Sequence, residues 1–514
     1  MENSFFTSLK KDTNFIETEN GALTHKTTLN KVFDMFAFGG AYRNRSDADV
    51  ITLFKDAYIE NATLALKCLF YLRDVRGGQG ERRFFRVAFK WLCNYDAAAA
   101  RRNLIQVSEY GRWDDLIYAT EGTKVQNEAL DIIKTQFKLD LDSQTPSLLA
   151  KWLPSENASS YTTNKLGNLI RKSLNMTHKE YRKSLSKLRT RINIVEKLMS
   201  ENRWDEIEFD KIPSKAGMIY KNAFARRDLI AQKYKEFIKD DTKKVNAKTL
   251  YPYDIAHSAF SRNIKDSDLD SAERIYLQKA WDNLPNYYGN NVENGLAIVD
   301  TSGSMTGTPL EAAVSLGAYI AEKAHGPFAN HFITFSAHPD LCEFHGVDIV
   351  DKFNRAYSEN SSNWGQNTDL KAVFDLLLKN AKKTNVKRED MPTRLYIFSD
   401  MEFDGVVTFD GRNEDDGWGW RWNYNNNKVA NTIDEANTLL EEIAKEWAND
   451  GYELPTVIFW NLDARQNNIP MLKGGRFGYV SGLSPNLIEQ ILSGVTGIDL
   501  MLAKLNSKRY EKIV

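Results

Sequence analysis

The spacing of apolar residues changes near Gly295, and this change limits the possible folds more than any other feature of the chain. Upstream, apolar residues recur at the period of amphipathic helices, as in Val50, Leu53, Phe54 and Ala57. Downstream, short apolar runs alternate with helical stretches, a pattern typical of a doubly wound parallel sheet. Strands are predicted over 295–300, 331–336, 394–400, 456–461 and 476–481, and helices near 309–324, 369–380, 431–449 and 485–506.

The chain divides into three predicted parts. Residues 1–20 are polar and predict a loose N-terminal arm, residues 21–285 form a helical domain, and residues 286–514 form an α/β domain. The succession of helices with short connections favours a stacked helical-repeat array, in which each helix pair buries its apolar stripe against its neighbours. Residues 404–430 interrupt the α/β pattern directly after a strand and are predicted to be an insertion.

The net charge of −1 conceals an asymmetry between the two predicted domains. Residues 1–290 contain 47 Lys and Arg against 38 Asp and Glu, whereas residues 291–514 contain 21 against 31, so the two parts carry +9 and −10. Such an asymmetry indicates different partners for the two parts, or a charge-complementary interface between them.

Cysteine content and hydropathy predict the compartment. The chain has three widely spaced cysteines, Cys68, Cys93 and Cys342, which argues against a disulfide framework and against a zinc site. No stretch approaches the ~20 consecutive apolar residues of a membrane-spanning helix, and the N-terminus has no apolar signal core. We therefore expect a soluble, cytoplasmic protein that does not contact membranes.

Asp300-Thr301-Ser302-Gly303-Ser304 follows the apolar run that begins at Gly295. A strand that ends in one carboxylate and two hydroxyls builds an all-oxygen pocket, which suits Mg²⁺ or Mn²⁺. We expect Gly303 to permit the sharp turn that brings both serines to the end of the strand. Taken alone, an Asp-x-Ser-x-Ser pattern is also typical of an ordinary turn.

Two further segments end at the same predicted edge of the sheet. Thr368 lies on a loop that enters a helix, and Asp400 ends the strand that begins at Arg394. The carboxyl ends of parallel strands form the crevice in which open α/β folds bind ligands. The sequence therefore predicts a Mg²⁺ or Mn²⁺ site at this edge, and the alternative is that each polar residue is a turn or cap residue. The candidate ligands are Asp300, Ser302, Ser304, Thr368 and Asp400.

Residues 163–200 are the most basic part of the chain, with ten Lys and Arg and two Glu. Thr177 and Glu180 form a capping-box pattern before a long predicted helix, whose apolar stripe is Tyr181, Leu185, Leu188, Ile192, Val195 and Met199. The cations fall mainly off this stripe. This is the electrostatic footprint of a phosphate-binding surface; the alternatives are a solvated face or a face paired with the acidic domain. The candidate RNA-binding residues are Arg171, Lys172, Lys179, Arg182, Lys183, Lys187, Arg189 and Arg191.

Residues 73–83 are rich in glycine and arginine, but they lack the Gly-Lys-Ser/Thr of a phosphate loop and follow no predicted strand. A nucleotide site is therefore not expected here. The segment is either a turn between helices or a basic turn that meets an anion.

Trp418, Trp420 and Trp422 alternate within the predicted insertion and would share one face if the backbone is extended. Because the insertion follows Asp400, we expect it on the metal-site face, where exposed tryptophans anchor a protein partner. The alternative is that they fold back onto the surface of their own domain.

The five candidate metal ligands, in this order on a strand–helix pattern, resemble the von Willebrand factor A fold. The resemblance implies a complete metal-ion-dependent adhesion site (MIDAS), with the ion held by Asp300, Ser302, Ser304, Thr368 and Asp400. It also implies that an acidic residue of a protein partner completes the coordination of the ion.

Eight further segments of the chain carry a second resemblance. They are Asn20-Gly-Ala-Leu-Thr-His, Arg73-Asp-Val-Arg-Gly-Gly-Gln-Gly-Glu-Arg, Gly111-Arg-Trp-Asp-Asp-Leu, Trp204-Asp-Glu-Ile, Ile212-Pro-Ser, Val245-Asn-Ala, Pro252-Tyr-Asp-Ile and Ser399-Asp-Met-Glu-Phe. These segments resemble a large TROVE-related family of plants, fungi, bacteria and viruses, and the whole organisation is similar to the TROVE plus von Willebrand A architecture of the Ro ribonucleoproteins. The resemblance implies a HEAT-like, TROVE-like helical-repeat ring that binds small structured RNAs on a basic outer surface and loose RNA ends in a central hole.

Together these features predict a non-catalytic RNA-binding scaffold whose A domain holds Mg²⁺ or Mn²⁺. A metal-dependent protein–protein interaction module without RNA binding is the alternative. Metal-assisted phosphoester hydrolysis is a third reading, disfavoured because the sequence offers no second metal site and no placed base.

Overall fold

The computed structural model describes residues 14–192, 194–261, 271–334, 339–358, 369–387, 390–404, 438–470 and 477–514. After a short pair of strands, a helical region is followed along the chain by a six-stranded sheet interspersed with helices. This order confirms the predicted change from all-helical to α/β structure.

The chain begins, within the described residues, with an antiparallel pair of short strands, β1 (Phe15–Glu17) and β2 (Leu23–His25). Residues 15–20 were predicted to belong to a loose arm, yet here they dock on the α/β region. Thr18 is buried, and its hydroxyl donates to the carbonyl of Phe403 at 2.5 Å. Specific hydrogen bonds to distant backbone, which polarity alone cannot predict, hold this segment in place.

The helical region is built from helices that begin at local capping signals. Ser46 accepts a hydrogen bond from the backbone N–H of Asp49, and the Asp49 side chain accepts one from the N–H of Ser46. Thr177 and Glu180 make the same reciprocal pair, and each pair satisfies N–H groups that a helix start leaves without partners. The helices are α1 (Lys31–Phe38), α2 (Asp47–Glu60), α3 (Ala62–Arg73), α4 (Arg82–Tyr95), α5 (Ala97–Asn103), α6 (Val107–Tyr110), α7 (Trp113–Thr120), α8 (Gln126–Asp142), α9 (Leu149–Trp152), α10 (Tyr161–Ser173), α11 (His178–Ile192), α12 (Val195–Ser200), α13 (Ser214–Arg226), α14 (Asp228–Lys239), α15 (Pro252–Ser261) and α16 (Ala272–Asp282).

The long basic helix is shorter than the sequence predicted. Its apolar stripe is buried at Tyr181, Leu185 and Leu188, but α11 ends at Ile192. Val195, which continues the stripe in sequence, lies on the separate helix α12. The apolar spacing therefore continues across the interruption between α11 and α12, so it cannot show where the first helix ends.

The sheet of the α/β region is mixed rather than purely parallel. Its strands are β3 (Gly295–Val299), β4 (His331–Thr334), β5 (Leu341–Glu343), β6 (Arg394–Ser399), β7 (Thr456–Asn461) and β8 (Phe477–Ser481), in the order β5-β4-β3-β6-β7-β8. The five predicted strands are parallel, and β5 adds an antiparallel edge that the sequence did not predict. Strands β3 and β6 are buried almost throughout, as expected for parallel strands covered on both faces.

Helices α17 (Thr308–Lys323), α18 (Ile349–Ser358), α19 (Leu370–Thr384) and α20 (Leu439–Asn449) connect the strands. The last predicted helix, 485–506, is instead two helices, α21 (Ile488–Leu492) and α22 (Gly497–Leu505). Gly494 and Gly497, with φ of 82° and 58°, end one helix and start the next in a conformation that favours glycine.

The carboxyl end of the sheet packs directly on the first helices. The backbone N–H of Gly40 donates to Ser481 Oγ at 2.9 Å, and a Cβ at Gly40 would lie 2.5 Å from the Ser481 carbonyl oxygen. Ala464, just beyond β7, donates its N–H to the carbonyl of Ala41 at 3.2 Å. The edge of the sheet that carries the candidate metal ligands is thus also the edge that meets the helical region.

The glycine-rich segment 73–83 is a turn that anchors the end of the chain. Asp74 is fully buried and accepts from Arg509 Nη2 at 2.6 Å and from the Tyr510 hydroxyl at 3.0 Å. Across another part of the interface, Arg274 pairs with Asp348 at 2.9 Å. Because these two ion pairs have opposite polarity, the interface is not a simple contact between a basic and an acidic surface.

Within the described residues, no helix is long and apolar enough to cross a membrane. Cys68 and Cys93 are buried free thiols, and Cys342 is half-buried.

Candidate metal centre and nucleic-acid interface

Asp300 and Asp400 end neighbouring parallel strands. Val299 of β3 pairs with Phe398 of β6, and the N–H of Asp300 donates to the Phe398 carbonyl at 3.0 Å. The two aspartates are only 0% and 1% exposed. The sheet therefore brings two distant carboxylates together in an environment that shields them from water.

Hydroxyl groups surround the first of these carboxylates. Asp300 accepts from Ser399 Oγ at 2.5 Å and from the Ser302 N–H at 2.9 Å. The hydroxyls of Ser302 and Ser304 lie 2.9 Å apart. The predicted grouping of Asp300, Ser302 and Ser304 is therefore present at the end of β3.

Asp400 is less well satisfied. Its Oδ1 accepts from the Glu402 N–H at 3.2 Å, whereas its buried Oδ2 accepts no hydrogen bond from the described residues. The hydroxyl oxygen of Thr301 is also buried without a partner among them. A buried carboxylate oxygen without a hydrogen bond carries a large desolvation cost, which a cation at this position would offset.

The local backbone differs from the predicted one at Gly303. Residues Gly303–Met305 form a 3₁₀ turn, and a Cβ at Gly303 would meet nothing within 4 Å, so the turn does not require glycine. The left-handed residues are Gly307, at φ 90°, and Met401, at φ 67°. Met401 directly follows Asp400, and such strain in a non-glycine residue persists where the surroundings fix it.

Burial of the two carboxylates changes their proton affinity. Burial, with a further contribution from the negative charge of Asp400, raises the pKa of Asp300 to about 7. Burial likewise raises the pKa of Asp400. Both shifts mean that the ionised pair is held at a cost in the absence of a compensating cation.

This donor set fits a hard divalent cation. Within the described residues, no group of three or more His, Cys, Asp or Glu side chains could hold a metal ion, so an ion here would depend on hydroxyl oxygens beside Asp300 and Asp400. Carboxylate and hydroxyl oxygens are ligands that suit Mg²⁺ and Mn²⁺. The remaining predicted ligand, Thr368, lies outside the described residues. Its neighbour Asp369 caps α19 by accepting from the Ala372 N–H at 2.9 Å.

Three residues at this edge were missed by the sequence analysis as site residues. Glu402 is 1% exposed and accepts from the Glu19 N–H at 2.7 Å and from Asn468 Nδ2 at 3.0 Å; burial raises its pKa to about 7. Arg465, from the loop after β7, lies with its Nε 3.6 Å from Asp400 Oδ2. Glu19, whose carboxylate accepts from Arg465, is the third of these residues. The spacing Asp400-Met-Glu402 could have indicated Glu402 as a second acidic residue at the strand end, but no local pattern marks Arg465 or Glu19.

The eight candidate RNA-binding cations separate into two groups. Five of them, on or near α10 and α11, are exposed and have no carboxylate within ion-pair distance among the described residues. These five are Lys172, Lys179, Arg182, Lys183 and Lys187, and we call them the basic surface. Their arrangement leaves the positive charges available to an anionic partner.

The other three, Arg171, Arg189 and Arg191, are bonded inside the protein. Arg189 donates to the carbonyls of Ala150 and Leu153, each at 2.9 Å, and Arg191 donates to the carbonyls of Leu141 and Ser143. Arg171 pairs with Glu156 at 2.7 Å. Arg189 and Arg191 thus satisfy carbonyl groups at helix ends. Positive charge alone did not distinguish this structural role from contact with RNA.

Trp418, Trp420 and Trp422 lie outside the described residues, as does the rest of the predicted insertion beyond Asp404.

Comparison with known proteins matches the two regions to two separate family models. Residues 294–511 match a family described as a domain of unknown function (DUF7788), and residues 18–119 and 145–285 match another with that description (DUF2828). "Uncharacterized protein L728" of Acanthamoeba polyphaga mimivirus is 29% identical over 521 residues, which span 93% of this chain and 84% of that protein. The crystal structure of the Deinococcus radiodurans RO (RSR) protein covers 94% of this chain and 100% of its own, at 11% identity and a TM-score of 0.47.

Proposed function

We propose that this protein is a non-catalytic RNA-binding scaffold, in which a TROVE-like, HEAT-like helical-repeat domain binds RNA and a von Willebrand A-like domain holds Mg²⁺ or Mn²⁺. The observation that carries the RNA function is the basic surface, five exposed cations without acidic partners among the described residues. Phosphate groups are the anions that such a surface binds, because counterions released from the nucleic acid supply the driving force. The sequence resemblance to the TROVE-related family supports the same function.

A salt titration tests RNA binding. Filter binding to a small structured RNA and to a single-stranded RNA should give a log affinity that falls linearly with log salt, by about 0.7 for each phosphate contact on a single strand. Replacing Lys172, Lys179, Arg182, Lys183 and Lys187 by Gln should reduce both the affinity and the slope.

The matched control removes the same charge elsewhere. Lys55, Lys90, Lys235, Lys244 and Lys248 are also exposed, and replacing these five by Gln should leave most of the affinity intact. Equal losses of RNA affinity in the two variants would mean that binding depends on the net charge of the protein and not on the basic surface. No binding of any RNA at low salt would refute the proposal.

The metal function is supported by the buried pair Asp300 and Asp400 and by Oδ2 of Asp400, which accepts no hydrogen bond from the described residues. Asp300 and Asp400 would hold the ion together with the hydroxyls of Ser302 and Ser304, and Thr368 remains a proposed ligand from the sequence. When bound, the ion neutralises the pair and polarises an oxygen ligand from outside. Mn²⁺ titration by calorimetry should detect one site in the intact protein and none after Asp300→Asn, with Asp499→Asn, an exposed carboxylate on α22, as the control.

A metal-dependent protein-interaction module is the second candidate, and the surface beside the ligands favours it. Gly303, Thr306 and Gly307 are exposed, so an acidic partner can contact the surface directly beside the candidate ligands. Proteins captured from a lysate with Mg²⁺, and lost both with EDTA and with Asp300→Asn, would favour this function if RNA binding is unchanged in that variant.

A further inference from the structure

Arg465 lies where two acidic groups and a carbonyl of the candidate metal centre converge. Its Nη1 donates to Glu19 at 2.8 Å, its Nη2 donates to the Ser304 carbonyl at 3.2 Å, and its Nε lies 3.6 Å from Asp400 Oδ2. That oxygen is the buried one that accepts no hydrogen bond from the described residues. The guanidinium therefore supplies positive charge to Asp400 without satisfying it.

We propose that Arg465 is a tethered cation that competes with the divalent ion for Asp400, and that ion binding consequently opposes docking of the N-terminal segment 15–25. This inference rests on the proposed metal site and adds to it a residue that sets the affinity of the site.

The competition follows from distance and charge. A Mg²⁺ ion contacts its oxygen ligands at about 2.1 Å, closer than the 3.6 Å between Arg465 Nε and Asp400 Oδ2. Two cations beside one carboxylate in a poorly hydrated site repel strongly. Since Arg465 is 36% exposed on its side chain, whereas Asp400 is fully buried, Arg465 is the group with room to move away.

The coupling follows from how the neighbouring groups are fixed. The backbone N–H of Glu19 is bonded to buried Glu402 at 2.7 Å, and Asn20 Nδ2 donates to the Glu402 carbonyl at 2.7 Å. The carbonyl of Arg465 accepts from Arg45, so the Arg465 backbone is also fixed. A displaced guanidinium consequently cannot take Glu19 with it, and the N-terminal segment loses the ion pair between Arg465 and Glu19.

The first test is Mn²⁺ affinity, measured by calorimetry on the full chain. Arg465→Gln should bind Mn²⁺ at least about tenfold more tightly than the natural protein, which corresponds to ~1.4 kcal/mol. Arg101→Gln is the control, because Arg101 also pairs with a glutamate, Glu128, but far along the chain from the metal centre. Unchanged or weaker binding in Arg465→Gln would overturn the competition.

The same titration separates this inference from the metal site itself. If neither the natural protein nor Arg465→Gln binds Mn²⁺, the proposed metal site is wrong. If both bind with equal affinity and Asp300→Asn abolishes binding in both, the metal site stands and the role of Arg465 is refuted.

Hydrogen exchange provides a readout of the coupling. Saturating Mn²⁺ should accelerate exchange of the Glu19 and Ala22 amides by up to about fivefold in the natural protein, because the segment loses a partly exposed ion pair, which contributes no more than that. In Arg465→Gln, exchange of these amides should be fast with or without Mn²⁺. Slower exchange on ion binding in the natural protein would show that the ion secures the segment, contrary to the proposal.

Discussion

The charges of the basic surface are exposed to water, whereas the charges of the metal centre are buried. Lys172, Lys179, Arg182, Lys183 and Lys187 lie in water without acidic partners among the described residues, and water solvates each of them at little cost. Asp300 and Asp400 are excluded from water at the ends of two buried strands. Exposed charges contribute weakly, nearly additively and in a salt-dependent manner, whereas buried charges are strongly coupled to their immediate neighbours. The difference teaches that burial, more than the count of charges, determines what each site can do.

The largest expected effect comes from a cation that is not part of the basic surface. Arg189→Gln should lower the free energy of unfolding by about 3 kcal/mol, because it leaves the carbonyls of Ala150 and Leu153 without their donor. Lys183→Gln, on the same helix but exposed, is the matched control and should leave urea unfolding unchanged. Similar urea midpoints for the two variants would mean that the internal arginine contributes no more to stability than the exposed lysine.

Salt should affect the two sites differently. If all five residues of the basic surface contact phosphate, raising NaCl from about 50 to about 200 mM should weaken single-stranded RNA binding by about 100-fold. Mn²⁺ affinity should change by less than about tenfold over the same range, because buried charges are screened less. Fluorescence anisotropy measures the RNA affinity and calorimetry the Mn²⁺ affinity on one preparation. Equal salt dependence of the two affinities would contradict the contrast between exposed and buried charges.

A buried cation should behave like the buried carboxylates. Burial lowers the pKa of Lys504 to about 8 from 10.5, so its charged form destabilises the folded state. The penalty is complete below pH 8 and disappears as pH rises towards 10.5, since the unfolded chain binds more protons in that interval. Lys504→Met should therefore raise the free energy of unfolding by about 2 kcal/mol at pH 7. The gain should shrink by pH 10, and a gain independent of pH would indicate packing instead.

The smallest effect concerns the metal-free protein. Asp300→Asn removes one of two buried like charges whose ionised forms are disfavoured by burial, so in EDTA it should stabilise the fold by about 1 kcal/mol. With Mg²⁺ present, only the natural protein should gain thermal stability. A lower melting temperature of the variant in EDTA would mean that the Asp300 hydrogen bonds contribute more than its charge costs.

Much of the fold is readable from local sequence patterns. The strands β3, β6 and β7 were predicted to within a residue or two because each is a short apolar run that ends in polar residues. The antiparallel strand β5 was missed, since Leu341–Glu343 is short and its residues are not buried. The break between α11 and α12 was missed because apolar spacing continues across it.

The candidate metal centre was partly readable for the same reason. Asp300, Ser302 and Ser304 are neighbours in sequence, and Asp400 follows a recognisable strand, so the carboxyl edge of the sheet could be predicted to collect them. Glu19 and Arg465 are separated by 446 positions and meet through the docking of a hairpin on a loop. No periodicity encodes that contact, so its discovery required the tertiary structure.

The sequence by itself determined the change from helices to a sheet, the position of the oxygen-rich strand end and the excess of cations between residues 163 and 200. These depend on hydrophobic period and residue type, which act over a few neighbouring residues. Only the tertiary structure decided, among the described residues, which cations have no acidic partner, which carboxylate oxygen accepts no hydrogen bond and which arginine lies beside it. Those properties depend on burial and on contacts between distant segments, because a charge is satisfied or isolated by the groups that surround it in space.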